Sequence, residues 1–210
     1  ASMPIGAYSE KHIMPENKLV PVPDGVSNEV ASCVTLKGIT AEYLLHRAYP
    51  LKKGDKVLYH AAAGALGQIL CPWANSIGAE IIGTVGSKEK EEIAKKNGCH
   101  HVINYTDKNF VEEVEKIVGK NGIDVVYDGV GLKTFEGSIE VLKIRGMMVA
   151  FGNASGYVDT IDVKKHINAK GLFFTRPSIA HYTIERDELL EAAKKVFDAV
   201  LSGKFKIEIS

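Results

Sequence analysis

The sequence predicts an α/β fold built on a doubly wound parallel sheet of six strands, and three observations support this class. Segments typical of strands alternate with segments typical of helices from residue 57 to residue 175, which favours parallel strands with helical crossovers. The strand-like segments number six, the complete set for a doubly wound sheet. A turn of small residues at 61–67 joins the first strand to a helix, as a phosphate-binding turn does.

The individual elements are predicted from apolar runs, helical spacing and capping residues. Strands are expected at 57–60, 81–85, 102–104, 125–128, 147–151 and 172–175, and helices at 67–77, 109–118 and 134–142. Gly78 is expected to end the first helix, and Pro72 within it to kink the axis or delay the first turn. Thr183 is a candidate cap for a last helix, whose apolar stripe predicts packing against the core.

The first forty residues have a different texture from the rest of the chain. Pro15, Pro21 and Pro23 favour short strands or extended segments over a strand-helix-strand unit. We therefore interpret this part as an arm from another domain.

Composition and charge restrict the class of function. The 26 Lys and Arg residues balance the 26 Asp and Glu residues, which argues against nucleic acid or an acidic membrane surface as the main partner. No apolar stretch approaches the length of about 18 residues that a membrane-spanning helix needs. Cys33, Cys71 and Cys99 fall in no metal-ligand spacing. We therefore expect reduced thiols, a cytoplasmic protein and no bound metal.

The turn between the first strand and the first helix is a candidate site for a dinucleotide pyrophosphate. Its candidate contacts are Ala63, Gly64, Ala65, Leu66 and Gly67, whose small side chains let the backbone approach phosphate at a helix N-terminus. The motif is not the strict G-x-G-x-x-G form, because an alanine at 62 holds the place of the first glycine. An ordinary strand-turn-helix without a ligand remains the alternative.

The end of the second strand indicates which cofactor is bound. Gly86 stands where a carboxylate usually accepts hydrogen bonds from the free ribose 2′-hydroxyl of NAD. Ser87, Lys88 and Lys90 follow, and a hydroxyl and cationic groups suit the 2′-phosphate of NADP. The alternative is that Ser87 only caps a helix whose first turns are solvated.

Several motifs in a fixed order carry a family resemblance. They are His60–Gly67, Gly83–Ser87, Val102–Tyr105, Tyr127–Gly131 and Phe151–Asn153. With them, the chain resembles the quinone oxidoreductases of the zeta-crystallin-like branch of the zinc-independent medium-chain dehydrogenases/reductases. One departure is Ala65, where the family usually has a second glycine.

The resemblance implies a domain organisation. Members of the family are about half as long again and carry an N-terminal GroES-like catalytic domain in addition to a Rossmann domain. Residues 1–37 are then the end of a truncated catalytic domain, 38–178 the NADP-binding Rossmann domain, and 179–210 a C-terminal helix and the start of the return to the catalytic domain. We expect the chain to be the cofactor-binding portion of a reductase and to be inactive alone.

The resemblance also assigns roles to residues. Ala63 to Gly67 contact the pyrophosphate, Gly86, Ser87 and Lys90 hold the 2′-phosphate, and Tyr105 lies over the adenosine phosphate end. The nicotinamide side of the site is formed by Thr40, Val130, Phe151, Gly152, Asn153, Ser155, Phe174, Arg176 and Pro177. Plainer alternatives stay open for several of these: a strand-end tyrosine for Tyr105, a helix cap for Thr40, turn closure for Asn153 and Ser155, and an ion pair for Arg176.

The function that the resemblance implies is NADPH-dependent reduction of a quinone, with hydride transfer in which no side chain need act as a catalytic acid. The histidines are interpreted as structural or exposed. An NADPH-dependent alkenal or enoyl reductase and a non-catalytic nucleotide- or RNA-binding module are the alternatives. A homodimer is expected, because the last strand would lie at the edge of the sheet, where an apolar strand is normally paired or covered.

Overall fold

The structure, a computed structural model, describes residues 6–207. Residues 1–5 of the predicted segment 1–37 and residues 208–210 of the predicted segment 179–210 lie outside the described residues. The strands are β1 (Lys56–His60), β2 (Glu80–Val85), β3 (His101–Asn104), β4 (Ile123–Asp128), β5 (Leu142–Ala150) and β6 (Phe173–Thr175). The α-helices are α1 (Asn28–Tyr43), α2 (Gly67–Ile77), α3 (Lys88–Lys96), α4 (Phe110–Val118), α5 (Phe135–Val141) and α6 (Arg186–Leu201).

The six strands form one sheet in the order β3-β2-β1-β4-β5-β6, and every neighbouring pair is parallel. The predicted doubly wound α/β fold is therefore confirmed. The order reverses between β1 and β4, where Tyr59 pairs with Tyr127 on one side and with Gly83 of β2 on the other. In such sheets the carboxyl ends of the strands at this reversal border a ligand-binding crevice.

Two apolar layers cover the sheet. One layer packs α1, α2 and α6 against the sheet through buried residues such as Val34, Leu70 and Val196. The other packs α4 and α5 through Val114 and Phe135. Because both faces are covered, β2 and β4 are buried along nearly their whole length rather than at alternate positions, as the predicted parallel arrangement requires.

The fifth strand differs from its prediction. It begins at Leu142 rather than at 147 and pairs with β4 in two stretches, Ile123 with Leu142 and then Val125 with Met147. Between these stretches Arg145 has a positive φ of 61°. The irregular first half of β5 has no apolar run, so the sequence predicted only its second half.

Two local predictions are corrected. Residues 28–43 form α1, capped by Ser27, and not an extended arm; the predicted domain boundary at 37/38 falls inside this helix. Thr183 does not cap the last helix, because its hydroxyl donates to the Ile179 carbonyl oxygen while a Glu185–Glu188 capping box starts α6 at Arg186. Of the two expectations for Pro72, a late first turn is excluded because α2 starts at Gly67, and a kink of the axis stays a prediction.

Gly78 ends α2 in the left-handed conformation, as predicted. None of the helices within residues 6–207 combines the length and apolar character needed to cross a membrane.

Candidate cofactor site

The turn after β1 is held closely against the start of α2. The Ala62 N–H donates to the Thr84 carbonyl oxygen at 3.0 Å, and the Gly64 N–H donates to the Ala61 carbonyl oxygen at 2.9 Å. A Cβ placed on Gly67 would lie 2.2 Å from the Ala62 carbonyl oxygen. Only glycine fits at this position, because the helix passes directly over the turn.

This turn leaves backbone donors open at a helix N-terminus. Over residues 6–207, the N–H groups of Ala65 and Leu66 make no hydrogen bond. Both residues lie beside the first turn of α2, where Ala65 is exposed and Leu66 is partly buried against the core. The helix dipole adds partial positive charge at the same place. The arrangement fits a phosphate group, and the predicted pyrophosphate contacts Ala63, Gly64 and Gly67 lie in the same turn.

A second cluster lies at the ends of β2 and β3. A Cβ on Gly86 would lie 2.7 Å from the Tyr105 hydroxyl oxygen, so Gly86 and the half-exposed Tyr105 are neighbours. The Ser87 hydroxyl oxygen accepts from the Lys90 N–H at 3.4 Å and caps α3, as the plainer alternative for Ser87 expected. The Ser87 hydroxyl also lowers the pKa of the Glu89 carboxyl. The Lys90 side chain is exposed at the same helix start.

The loops after β4 and β5 are fastened together. The Phe151 and Gly152 N–H groups donate to the Asp128 carbonyl oxygen at 2.9 and 3.1 Å. The Ser155 N–H and hydroxyl both donate to the Val130 carbonyl oxygen at 2.8 Å. Turn closure therefore describes Ser155 well, and Asn153 closes the same turn by accepting from the Gly156 N–H at 3.0 Å.

A cavity of about 280 Å³ lies between α1 and the end of β6. It is lined by Thr40, Tyr43, Phe151, Arg176, Pro177, Ser178 and Ile179. Thr40 is an interior residue of α1 whose hydroxyl donates to the Leu36 carbonyl oxygen at 2.8 Å, so the helix-cap alternative is wrong. Arg176 donates to the Pro177 carbonyl oxygen and pairs with no carboxylate among the described residues, so the ion-pair alternative is not observed either.

Tyr43 also lines this cavity and was not predicted from the sequence. Its ring is 2% exposed and stacks on Tyr182 with 4.5 Å between the ring centroids. Burial raises the pKa of Tyr43 to about 12. The signal available in the sequence was the spacing of Thr40 and Tyr43, which places both on one face of a helix.

A second cavity, of about 370 Å³, lies on the other side of the β4 and β5 loops. It is lined by Asp128, Gly131, Phe135, Met148, Ala150, Gly152, Asn153, Tyr157, Val158, Ile161, Phe174 and Arg176. Most of the predicted nicotinamide-side residues are therefore divided between two cavities, and Val130 and Ser155 line neither of them. Phe174 and Asn153 line this one, Thr40 and Phe151 line the smaller one, and Arg176 borders both.

Asp128 lines the larger of these two cavities and was also not predicted as a site residue. Its carboxylate is buried and accepts from the Val130 N–H at 2.7 Å, the Gly131 N–H at 2.9 Å and the Thr134 hydroxyl at 2.7 Å. An aspartate at the end of a parallel strand, followed by glycines, was the available signal. The metal-ligating residue types form no group of three or more within the described part of the chain.

An α/β protein with this sheet order and a small-residue turn at the strand reversal belongs to the nucleotide-binding class of folds. Residues 65–199 match the family model of the zinc-binding dehydrogenases, and the chain belongs to this family. It is 47% identical to the 2-haloacrylate reductase of a Burkholderia species over 203 residues, which are 95% of this chain and 61% of the relative. It is 42% identical to quinone oxidoreductase 1 of Escherichia coli over 211 residues, or 100% of this chain and 64% of the relative.

Solved structures agree with these relatives. The quinone oxidoreductase of Pseudomonas syringae pv. Tomato is 40% identical with a TM-score of 0.95 over 99% of this chain and 64% of that chain. The Escherichia coli quinone oxidoreductase complexed with NADPH is 42% identical with a TM-score of 0.86 over 90% of this chain and 58% of that chain. The resemblance to quinone oxidoreductases is confirmed. The chain spans less than two thirds of the length of these relatives.

Proposed function

We propose that this chain binds NADPH and is the cofactor-binding portion of an NADPH-dependent quinone reductase. The observation that carries the proposal is the pair of open N–H groups at Ala65 and Leu66, at the strand reversal where cofactors of this fold class bind. The similarity to a quinone oxidoreductase complexed with NADPH supports the choice of cofactor.

Different groups of residues hold different parts of the cofactor. The backbone of 63–67 holds the pyrophosphate, and Gly86, Ser87, Lys90 and Tyr105 hold the 2′-phosphate end. Lys90 is the cation of this group and has no carboxylate partner among the described residues. The loops that contain Val130 and Phe151 hold the nicotinamide end in the cavity beside Thr40.

The reaction is hydride transfer to an electron-poor acceptor, and bound NADPH supplies the hydride. The chain orients the cofactor through fixed backbone groups and keeps its nicotinamide end beside buried rings, which excludes water from one side. The acceptor side is completed by the catalytic domain that the family resemblance implies, and the residues before α1 are the end of that domain. We therefore propose that the chain binds cofactor but turns over quinone poorly alone.

Reduction of an activated alkene is the second candidate function. The similarity to a 2-haloacrylate reductase favours it, because that relative's name describes an electron-poor alkene as acceptor. A screen of quinones and 2-haloacrylates with the longer protein separates the two, since the acceptor with the higher kcat/KM identifies the activity. A nucleotide- or RNA-binding role without catalysis predicts turnover of neither class.

Further parts of the proposal concern assembly and location. Phe173 is 58% exposed on the edge strand β6, and pairing of this edge with a second copy would cover it. Cytoplasmic location and independence of zinc are also proposed, with the free thiols of Cys33, Cys71 and Cys99 as support.

Titration calorimetry with NADPH and NADH tests cofactor binding. We expect NADPH to bind at least ten times more tightly than NADH, and Lys90→Ala to weaken NADPH binding by about 10- to 100-fold, the value of one charge-assisted contact. Binding of NADH should not change. Lys95→Ala is the matched control, because Lys95 lies on the same helix and is paired with Glu92 at 2.8 Å. Equal affinities for the two cofactors, or no effect of Lys90→Ala, would refute the assignment.

A further inference from the structure

A line of polar side chains runs beneath the candidate cofactor site. His60 is buried, with Nδ1 at 2.9 Å from the Thr84 hydroxyl oxygen and Nε2 at 2.9 Å from the Ser138 hydroxyl oxygen. The Ser138 hydroxyl donates to Asp128 Oδ2 at 3.3 Å. These four side chains come from β1, β2, α5 and β4, and we call them the relay. All four are buried.

The direction of each hydrogen bond follows from the chemistry of the groups. An ionised Asp128 only accepts, so Ser138 donates to it and must accept from the N–H at Nε2 of His60. Nδ1 then carries no proton and accepts from the Thr84 hydroxyl. The assignment rests on the hydrogen-bond network and requires a neutral imidazole. Burial lowers the pKa of His60, which agrees with that requirement.

Each end of the relay precedes a part of the proposed cofactor site. Thr84 lies two residues before Gly86, and His60 is the last residue of β1 before the phosphate turn. Asp128 ends β4, and its main-chain oxygen accepts from the N–H groups of Phe151 and Gly152. The relay therefore links the strand ends that carry the 2′-phosphate cluster, the pyrophosphate turn and the nicotinamide-side loops.

We propose that His60 is a positioning residue of the cofactor site, which acts through Ser138 on Asp128 and so fixes the nicotinamide-side loops relative to the phosphate turn. The inference rests on the proposed binding of NADPH. A buried polar chain is costly, and apolar replacements of equal volume are often as stable. The advantage of the polar chain is that its hydrogen bonds are directional. It fixes three strand ends in one register, which a dinucleotide contacting all three requires.

The chain offers a matched control histidine. His166 is also buried, with its ring edge on Phe135 at a centroid distance of 5.2 Å, as the His60 ring meets Phe110 at 5.1 Å. Its ring nitrogens contact Glu136 at 3.1 Å and the Asp162 N–H at 3.1 Å. It makes no hydrogen bond to a relay residue. Replacing either histidine by phenylalanine removes two hydrogen bonds and keeps a ring.

The experiment measures the Kd for NADPH by calorimetry and the melting temperature of each variant of this chain. His60→Phe and Ser138→Ala should each raise Kd at least tenfold, and the double variant should bind no more weakly than the worse single one, because both act through the same link. His60→Gln, whose amide reaches the position of Nε2, should recover most of the affinity. His166→Phe should keep Kd within twofold even where it lowers the melting temperature as much as His60→Phe.

Three results overturn the inference. An unchanged Kd for NADPH in folded His60→Phe and Ser138→Ala would show that the relay only supports the core. Additive effects on Kd in the double variant would show that His60 does not act through Ser138 on Asp128. If His60→Phe does not fold, Ser138→Ala decides alone, since an unchanged Kd refutes the link and a tenfold rise supports it. Failure of the unaltered chain to bind NADPH would instead refute the proposed function, and the inference with it.

Discussion

The buried carboxylate of Glu42 provides a stability prediction whose size follows from its surroundings. Its side chain is 1% exposed and accepts from Arg47 Nε at 3.0 Å and from Lys195 of α6 at 3.2 Å. Arg47 also donates to the Tyr182 carbonyl oxygen at 2.8 Å and lies over the Tyr182 ring. Glu42 thus joins α1 to α6.

Glu42→Gln keeps the shape of the side chain but removes the buried negative charge that Arg47 and Lys195 share. Breaking a fully buried pair costs about 3–5 kcal/mol. Arg47 and Lys195 are 24% and 40% exposed, so water solvates both after the substitution, and Lys195 keeps its surface pair with Glu191 at 2.8 Å. We therefore expect a loss of about 2 kcal/mol in the free energy of unfolding. For a chain of this size that lowers the melting temperature by about 4–8 °C.

Urea denaturation followed by circular dichroism measures this loss. The matched control is Glu191→Gln, which removes an exposed partner of the same lysine and should cost at most about 0.5 kcal/mol. A Glu42→Gln variant within 0.5 kcal/mol of the unaltered chain would refute the reasoning. It would show that the interhelical carboxylate contributes no more than a surface ion pair.

Four further outcomes are expected. Burial lowers the pKa of both His46 and His60 from 6.5. As the pH is lowered, the unfolded chain therefore takes up these protons before the folded chain does, so the free energy of unfolding should have its highest value above pH 6.5 and decrease towards pH 5. The decrease should be less steep in His60→Gln. A slope of zero in urea titrations over that range would contradict this. Gly67→Ala should lower the free energy of unfolding by about 1–3 kcal/mol and weaken NADPH binding, because the new Cβ would lie 2.2 Å from a backbone oxygen. Gly64→Ala should lower it less, because the nearest atom to its Cβ is 3.1 Å away. Equal effects of the two variants in melting experiments would argue against the close approach at Gly67. Elemental analysis of protein purified without chelator should find no stoichiometric zinc. Sedimentation should give a dimer that Phe173→Lys dissociates, and a monomer at high concentration would count against pairing of the β6 edges.

The sequence predicted the elements whose side chains are apolar on both faces. β2 and β4 were found to within two residues, because strands buried on both faces are continuous apolar runs. α1 was missed because its buried side includes Ala31, Gly38 and Glu42 beside Val34, so no apolar stripe appears at helical spacing. Ion pairing buries Glu42 and close packing buries Gly38, and neither cause is visible in local hydrophobicity.

The candidate site follows the same division. The glycines at 67 and 86 could be found from the sequence because a close approach of backbone leaves a residue-type signal at fixed spacing. The relay could not, since His60 meets partners 24 and 78 positions away in sequence, and each of these residues taken alone is an ordinary buried polar group. What joins them is the order of the strands, which brings the ends of β2, β1 and β4 side by side. The binding of a dinucleotide across those strand ends depends on their positions relative to one another. A hydrogen-bonded chain of side chains constrains these positions more narrowly than apolar packing does, because its donors and acceptors must meet within a few tenths of an ångström.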